Sequence, residues 1–369
     1  MLIPLTVLAG DGIGPEVTAE ALRVLAAACH VFGHELKLTH KNIGGAALAA
    51  SNDPLPPDTL RACLNSGAVL LGAVGDPKFD SAPSHLRPEA GLLRLRQELG
   101  AYANLRPAVC FPALLQGSPL RAEVVEGTDL LIVRELLAGI YFGQPRSLEG
   151  APGSRQAINT MRYSEAEVER IARVAFDLAR ARRRQVLSVD KANVLECSRL
   201  WREVVTRVGR DYAEVKLAHQ YVDSAAMLLV QRPAAFDVIL TENMFGDILS
   251  DQAGGVVGSI GLLASASIGG RVGLYEPVHG SAPDLAGQGI ANPLGAILSA
   301  AMLLRYSFRL EGEAARIESA VQAVLAAGHR TRDLAASGQA SVSTVEMGQQ
   351  VAEAVRALST ASAATEKSA

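Results

Sequence analysis

The chain alternates short, apolar, β-rich runs with longer segments of helical periodicity. Five such runs are LIPLTVL, AVLLGAV, DLLIV, QVLSV and FDVILT, and helical patterns open at Pro15, Pro88 and Ser164. This alternation indicates an α/β fold, because a mostly parallel sheet needs covering helices between its strands. Ser164 and Glu167 predict a capping box at the start of one helix.

Bulk properties exclude several classes of protein. A chain of 369 residues suits two domains or one large domain with an insertion, and a formal charge of −3 argues against a dedicated nucleic-acid binder. The four cysteines form no CxxC pair, so we expect a reduced, cytoplasmic chain without a zinc site. The charge-free stretch 252–270 contains six glycines, which favours a buried helix end and loop over a membrane span.

The stretch LAGDGIGPE places three glycines at alternate positions, Gly10, Gly12 and Gly14, between a predicted strand and a predicted helix. This order suits a phosphate cradle, but the spacing GxGxGP differs from the dinucleotide fingerprint GxGxxG. Any sharp strand-to-helix turn also favours glycine. A plain turn is therefore the preferred interpretation of these residues on their own.

Charged side chains follow four of the predicted strands. Arg134 ends DLLIVR, Lys191 ends VLSVDK, Asp223 ends QYVD, and Asp247 comes shortly after DVILT. Ligands of open α/β sheets bind outside the carboxyl ends of the strands. We therefore expect these residues to belong to a site.

Two carboxylates in TENMFGDILSD, Asp247 and Asp251, are four residues apart on a predicted helix. This spacing places both on one face, where they repel each other unless a cation lies between them. An all-oxygen pair without histidine or cysteine favours Mg²⁺ or Mn²⁺. The alternative is a solvated acidic face.

The segment PEAGLLRLRQEL predicts a helix with a mixed face made by Glu89, Leu92, Leu93 and Arg96. A cation beside two leucines suits a ligand that carries a carboxylate next to a branched hydrocarbon. The alternative for Arg96 is an arginine that snorkels at a helix edge. Together with Arg106 and Arg134, it offers forked hydrogen bonds to a ligand with two carboxylates.

The ordered motifs along nearly the whole chain carry a resemblance to a known family. They are GDGIGPEV, GLLRLR, ANLRP, IVREL, GIYFG, VDKANVLE, HQYVD, NMFGDILSD and EPVHGSAPDLAGQGIANP. The sequence resembles the β-decarboxylating dehydrogenases, the isocitrate/isopropylmalate dehydrogenase family, and within it the branch that acts in leucine biosynthesis. The resemblance implies oxidative decarboxylation of (2R,3S)-3-isopropylmalate to 4-methyl-2-oxopentanoate and CO₂, with reduction of NAD.

The resemblance also implies roles for individual residues. Lys191 would be the general base and Tyr141 the general acid. The divalent metal, Mg²⁺ or Mn²⁺, would be held by Asp223, Asp247 and Asp251. The substrate would be contacted by Glu89, Leu92, Leu93, Arg96, Arg106, Arg134, Val194 and Asp223. Leu92, Leu93 and Val194 would form the apolar lining for the isopropyl group, and the three arginines would bind the carboxylates.

For the cofactor, the resemblance implies contacts from a late segment and one early residue, namely Glu276, His279, Gly280, Ser281, Ala282, Pro283, Asp284, Asn292 and Ile13. A carboxylate at Asp284 would repel a 2′-phosphate, which favours NAD over NADP. Lys191 and Asp223 would reach the active site of a second copy, so a homodimer with shared sites is expected. No nucleic-acid or membrane partner is expected.

The implied fold has two domains and is not a Rossmann fold. The first would join residues 1–101 to 258–369, and the second would span 102–257, with an intersubunit arm at about 142–162. It would contain a large mixed sheet.

Three other functions are alternatives to this one. A related tartrate/malate or homoisocitrate dehydrogenase would carry a less apolar lining than Leu92, Leu93 and Val194. A metal-dependent lyase would use the same acids, Lys191 and Tyr141 without forming NADH. A non-catalytic anion-binding relative would be expected to have lost the lysine or the acids, which this sequence keeps.

Overall fold

The computed structural model describes residues 1–365, and its chain divides into two compact units. The first unit comprises residues 1–101, 111–119 and the chain from residue 257 onward. The second unit comprises residues 102–110 and 120–256. Each unit carries five strands of mixed direction, as expected for the large mixed sheet that the resemblance implies, and helices surround them.

The strands of the first unit are β1 (Leu2–Gly10), β2 (Glu35–His40), β3 (Ala68–Ala73), β11 (Ala264–Ile268) and β12 (Gly273–Pro277). Their order is β2-β1-β3-β12-β11, with only β11 antiparallel to its neighbour β12. The helices are α1 (Gly14–Phe32), α2 (Gly44–Ser51), α3 (Pro57–Leu64), α4 (Pro88–Leu99), α10 (Leu294–Phe308), α11 (Glu311–Ala326) and α12 (Thr344–Thr365).

The strands of the second unit are β4 (Ala103–Val109), β5 (Asp129–Glu135), β8 (Gln185–Asp190), β9 (Lys216–Tyr221) and β10 (Val238–Thr241). Their order is β4-β5-β10-β8-β9, with β4 antiparallel to β5 and the other pairs parallel. The helices are α5 (Ala122–Val125), α6 (Glu165–Arg180), α7 (Glu196–Gly209), α8 (Val222–Gln231) and α9 (Asn243–Val257). A separate antiparallel hairpin pairs β6 (Arg146–Glu149) with β7 (Gln156–Asn159).

The α/β fold class is confirmed, and so is the mostly parallel pairing. All five apolar runs form strands, and the predicted helix starts lie within one residue of those observed. The capping box is present, since Ser164 Oγ accepts from the backbone N–H of Glu167 and the Glu167 carboxylate accepts from the N–H of Ser164. These features are local, so the sequence alone determines them.

Buried aliphatic side chains hold each unit together. In the first unit a core of residues such as Leu8, Ile43, Leu71 and Leu95 packs between the strands and the neighbouring helices, and the partly buried Leu92 lies against it. In the second unit Trp201 and Phe176 are among the largest fully buried side chains.

The four cysteines are free, as predicted, and three of them are buried. Among the described helices none is long and apolar enough to cross a bilayer. The stretch 252–270 instead forms the end of α9, a short 3-10 turn and β11.

Candidate active site

In the second unit four parallel strands end at one edge of the sheet and carry the predicted site residues. Arg134 lies in β5 opposite Thr241, the last residue of β10. Lys191 follows directly after β8, and Asp223 comes two residues after β9. Because the four strands are adjacent and parallel, these residues lie at the carboxyl ends of neighbouring strands, and their membership of one site stays a prediction.

Asp247 lies at the centre of a polar cluster on the first turns of α9. Arg134 donates from Nη1 to Asp247 Oδ1 at 2.6 Å, and the hydroxyl of Tyr141 donates to Asp247 Oδ2 at 2.9 Å. Arg106 Nη1 lies 3.3 Å from Asp247 Oδ1. Both guanidinium groups are almost fully buried, whereas the Asp247 side chain is 35% exposed. The cluster thus joins a candidate general acid, a candidate metal ligand and two candidate substrate arginines.

Asp247 and Asp251 both approach one guanidinium nitrogen, Nη1 of Arg106, which is 3.5 Å from Asp251 Oδ1. The two carboxylates therefore share a cation in the chain by itself, which is the compensation that their spacing requires. Within residues 1–365 no three histidine, cysteine, aspartate or glutamate side chains lie close enough to hold a metal ion. Asp223 is therefore not gathered with the other two acids in a single chain.

Burial shifts the titration of two groups in this cluster. It raises the pKa of the Tyr141 hydroxyl, and the nearby Asp247 carboxylate raises it further. Burial also raises the pKa of Asp251, an effect that the charge of Arg106 opposes. The phenol is therefore protonated at neutral pH and has a proton to donate.

Lys191 and Asp223 form a pair of their own. Lys191 donates from Nζ to Asp223 Oδ1 at 2.8 Å, and the hydrogen bond is the largest cause that lowers the pKa of Asp223. The Asp223 side chain is 66% exposed, and Val194, three residues after Lys191, is exposed as well. Asp223 and Val194 therefore face solvent in the single chain, whereas the side chain of Lys191 is partly buried, at 27% exposure.

The mixed face of α4 lies in the first unit. Glu89 is exposed, Leu92 and Leu93 are half-buried, and Arg96 donates from Nη2 to Glu276 Oε1 at 2.6 Å. Both members of this ion pair are nearly buried. Arg96 is therefore held inside the unit by a buried carboxylate and does not snorkel at the helix edge.

The opening glycine loop is a structural support for the late segment. Gly10 and Gly12 have φ angles of 75° and 57°, which only glycine adopts readily. A Cβ atom at Gly12 would meet the backbone oxygen of Ser281 at 2.0 Å, and the N–H of Ile13 donates to that same oxygen. The preferred interpretation as a strand-to-helix turn is thus correct, and the turn also fixes the segment predicted to bind the cofactor.

Asp11, which the sequence analysis did not single out, anchors this loop. Its buried carboxylate accepts hydrogen bonds from the backbone N–H groups of Gly45, Ala46 and Gly75, at 2.8, 2.8 and 2.9 Å. One side chain thereby ties the loop to the start of α2 and to the chain after β3. The feature of the sequence that indicates this role is an aspartate between the two turn glycines, Gly10 and Gly12.

The late segment presents polar groups and open backbone. The buried Nε2 atom of His279 has no hydrogen-bonding partner among the described residues, and burial lowers the pKa of this imidazole. Gly280 has open space where a Cβ atom would be, and Ala282 adopts a φ of 38°. Asp284 is exposed, as is Pro283. Asn292 is buried and donates to Asp333.

Comparison with known proteins identifies the family of this chain. The family model described as isocitrate/isopropylmalate dehydrogenase matches residues 4–351. The chain belongs to the isocitrate/isopropylmalate dehydrogenase family. Among curated relatives, it is 58% identical to the 3-isopropylmalate dehydrogenase of Moorella thermoacetica over 94% of this chain and 97% of the relative. It is 54% identical to that of Aquifex aeolicus, with 95% and 96% covered.

Solved structures of this dehydrogenase family share the fold. The isocitrate dehydrogenase of Methylococcus capsulatus superposes with a TM-score of 0.86 at 35% identity, covering 96% of this chain and 99% of that one. The apo form of a β-decarboxylating dehydrogenase from Thermococcus kodakarensis gives 0.78 at 35% identity, covering 96% and 97%. The expected dehydrogenase-like fold is therefore confirmed.

Proposed function

We propose that this member of the family catalyses the oxidative decarboxylation of 3-isopropylmalate with NAD in leucine biosynthesis. The observation that carries the proposal is the identity of 54 to 58% with several 3-isopropylmalate dehydrogenases over nearly the full length of each. The identity to a solved isocitrate dehydrogenase is lower, at 35%. The apolar Leu92 and Leu93 beside Arg96 on α4 support a substrate with a branched alkyl group.

The residues present fit a divalent metal of the magnesium type. Asp247 and Asp251 supply two carboxylates on one helix face, and the Arg106 guanidinium that they share shows that this face compensates a positive charge. Carboxylate oxygens are the ligands that Mg²⁺ and Mn²⁺ prefer. We propose Asp223 as the third carboxylate, contributed by a second copy of the chain.

The late segment fits the adenosine half of NAD. The neutral imidazole of His279 offers a buried ring nitrogen that has no partner within the described part of the chain, and the glycines at 280, 287 and 289 leave open space beside the backbone. The segment EPVHGSAPDLAGQGIANP has no lysine or arginine to receive a 2′-phosphate, and Asp284 is exposed to accept from ribose hydroxyls. These features favour NAD over NADP.

The chain's own residues then have distinct tasks. Arg96, Arg106 and Arg134 bind the substrate carboxylates through charge-assisted hydrogen bonds. When bound, NAD would supply a hydride acceptor and the metal would supply Lewis-acid polarisation of the substrate oxygens.

Two residues move protons. Lys191, as the neutral amine, accepts the hydroxyl proton as the carbonyl forms, and Tyr141 donates its phenolic proton to the carbon from which CO₂ has left. The raised pKa of Tyr141 keeps that proton in place until the carbon becomes basic.

We further propose a homodimer in which each site contains Lys191 and Asp223 of the second copy. In support, the second unit exposes four large apolar side chains. Val194 and Met227 follow Lys191 and Asp223 by three and four residues, and the other two are Val230 and Ile248. The hairpin β6–β7 exposes Leu148 and Ile158 in the same way and is proposed as the intersubunit arm. We expect these side chains to form one patch, because a contiguous exposed apolar patch is typical of an interface. Free thiols agree with a reducing compartment, and we propose the cytoplasm.

Product analysis tests the reaction against the lyase alternative. With 3-isopropylmalate, NAD and Mg²⁺, we expect one NADH and one CO₂ for each 4-methyl-2-oxopentanoate formed. Turnover that depends on metal but forms no NADH would contradict the proposal and favour the lyase.

A further inference from the structure

Asn243, the first residue of α9, connects two parts of the proposed site. It is fully buried. Its Oδ1 atom accepts hydrogen bonds from Arg134 Nε at 3.1 Å and from Arg134 Nη2 at 2.7 Å. Its Nδ2 group donates to the carbonyl oxygens of Leu136 and Ala138 at 3.1 and 3.0 Å. One amide therefore holds the guanidinium of Arg134 and the turn that follows β5.

The orientation of this amide has no equivalent alternative. Its oxygen faces two N–H donors of Arg134 and its nitrogen faces two carbonyl oxygens, so a flip would place donor against donor and acceptor against acceptor. All four hydrogen-bonding positions of the side chain are used. A buried, fully satisfied amide of this kind fixes its neighbours because any shift leaves a buried polar group without a partner.

The Arg134 guanidinium and the turn after β5, which Asn243 binds, are also connected through Asp247. Arg134 donates to one oxygen of Asp247, and Tyr141 donates to the other. Tyr141 ends the 3-10 turn Gly139–Tyr141, which begins directly after Ala138. These contacts therefore form a closed loop. The Asn243 amide binds Arg134, Arg134 and Tyr141 both bind Asp247, and the 3-10 turn connects Tyr141 to Ala138, which Asn243 also binds.

We propose that Asn243 is a positioning residue that sets the substrate-binding Arg134 and the proton donor Tyr141 relative to each other. This inference rests on the proposed function. The oxygen of the amide orients the arginine fork, and the nitrogen fixes the turn that carries the phenol. The backbone N–H of Asn243 donates to the hydroxyl of Tyr163 at 3.0 Å, so the start of α9 is held independently of the side chain.

Two substitutions separate the halves of the amide. Asn243→Asp keeps an oxygen for Arg134 but loses both donors to the turn, whereas Asn243→Ala loses both halves. Thr241→Val is the matched control, because Thr241 is fully buried at the same strand end and its hydroxyl donates to Val189 O in β8, on the side of β10 away from β5 and Arg134. Calorimetric affinity for 3-isopropylmalate and steady-state kcat are measured for each, with circular dichroism and Tm as checks of folding.

We expect Asn243→Asp to retain affinity within about threefold while kcat falls about 10- to 100-fold, because the proton donor is displaced. In Asn243→Ala the affinity should also fall, by about tenfold or more, since the arginine loses two hydrogen bonds. Thr241→Val should change each quantity by no more than about twofold.

Three results overturn the inference. The first is that Asn243→Asp has the same kcat as Thr241→Val. The second is that Asn243→Ala binds 3-isopropylmalate with wild-type affinity. The third is that affinity and kcat fall in equal proportion in both Asn243 variants. If Asn243→Ala does not fold, the comparison of Asn243→Asp with Thr241→Val still decides. Absence of turnover in the wild-type protein would instead contradict the proposed function. The comparison of affinities would still test whether Asn243 orients Arg134.

Discussion

Arg134 Nη1 and Asp247 Oδ1 are 2.6 Å apart in the second unit, and the arginine is almost completely buried. In the proposed reaction the arginine binds a substrate carboxylate and the aspartate binds a divalent metal. In the chain alone each compensates the charge of the other. A cation bound to Asp247 and an anion bound to Arg134 would replace this pair together, so metal and substrate are expected to bind cooperatively.

Asp247→Asn should weaken binding of Mn²⁺ measured by electron paramagnetic resonance in the presence of 3-isopropylmalate. Loss of one of the carboxylates on α9 removes a charged oxygen ligand, and we expect the apparent dissociation constant to rise about tenfold or more. The Mg²⁺ concentration for half-maximal activity should rise in parallel.

The control for this prediction is Asp177→Asn, which removes an exposed carboxylate on α6 that pairs with Arg180. It should leave Mn²⁺ affinity unchanged. An Asp247→Asn variant with the affinity of this control would remove Asp247 from the ligand set.

Mixed dimers test the shared site. A Lys191→Ala chain and an Arg96→Ala chain should each be inactive alone. If Lys191 acts in the site of the partner, one of the two sites in a heterodimer contains both intact residues. Random mixing at equal concentrations should then restore about a quarter of the wild-type activity, since half of the dimers are mixed and half of their sites are intact.

Native mass spectrometry of the mixture establishes that heterodimers have formed. Confirmed heterodimers without restored activity would show that Lys191 and Arg96 act within one chain.

Asp11→Asn should lower both stability and cofactor affinity. The carboxylate accepts from three backbone N–H groups, whereas an amide can direct only its oxygen towards them. We expect the free energy of unfolding in urea to fall by about 1–3 kcal/mol. The KM for NAD should rise, because the loop that Asp11 anchors holds Ser281 through Ile13.

Asp76→Asn is the matched variant, since Asp76 accepts from a single backbone N–H, that of Lys78. It should lose less stability than Asp11→Asn. Equal losses in the two variants would argue against the anchoring role.

The sequence predicts those features of the site that follow from local pattern. Strand ends, the capping box at Ser164 and the shared face of Asp247 and Asp251 all depend on residues close together in the chain. The pairing of Arg96 with Glu276 joins residues 180 positions apart, and no periodicity encodes it. The roles proposed for Arg96 and Glu276 come from the resemblance to the family and not from their spacing.

The sequence alone does not single out Asn243, although it lies two residues after β10, at the carboxyl end of a strand, where site residues are expected. Asn243 lies four residues before Asp247 and carries no charge, so the pattern of charged residues that follow strands does not include it. Only the fold shows that Arg134, Leu136 and Ala138 surround it.

The buried thiol of Cys63 predicts a dependence of stability on alkaline pH. Burial raises its pKa to about 12 in the folded chain from an ordinary value of 9.0. The folded state therefore keeps a proton that the unfolded chain loses, so this group's contribution is present below pH 9 and is lost as the pH rises towards 12.

Between pH 8 and pH 10 the loss from this one group is about 1.4 kcal/mol, which Cys63→Ala should abolish. Urea unfolding at the two pH values measures it. The half-exposed Cys197 provides the control variant, Cys197→Ala, which should keep the alkaline loss of the wild type. The same loss in all three proteins would contradict the assignment to Cys63.

The central claim is that this chain oxidises 3-isopropylmalate with NAD. The most direct test follows NADH formation by the purified protein with 3-isopropylmalate, isocitrate, tartrate and homoisocitrate, with and without Mg²⁺, and repeats the best substrate with NADP. We predict the highest kcat/KM for 3-isopropylmalate, dependence on Mg²⁺ and preference for NAD. No turnover of 3-isopropylmalate, or a higher kcat/KM for any of the other three acids, would contradict the account.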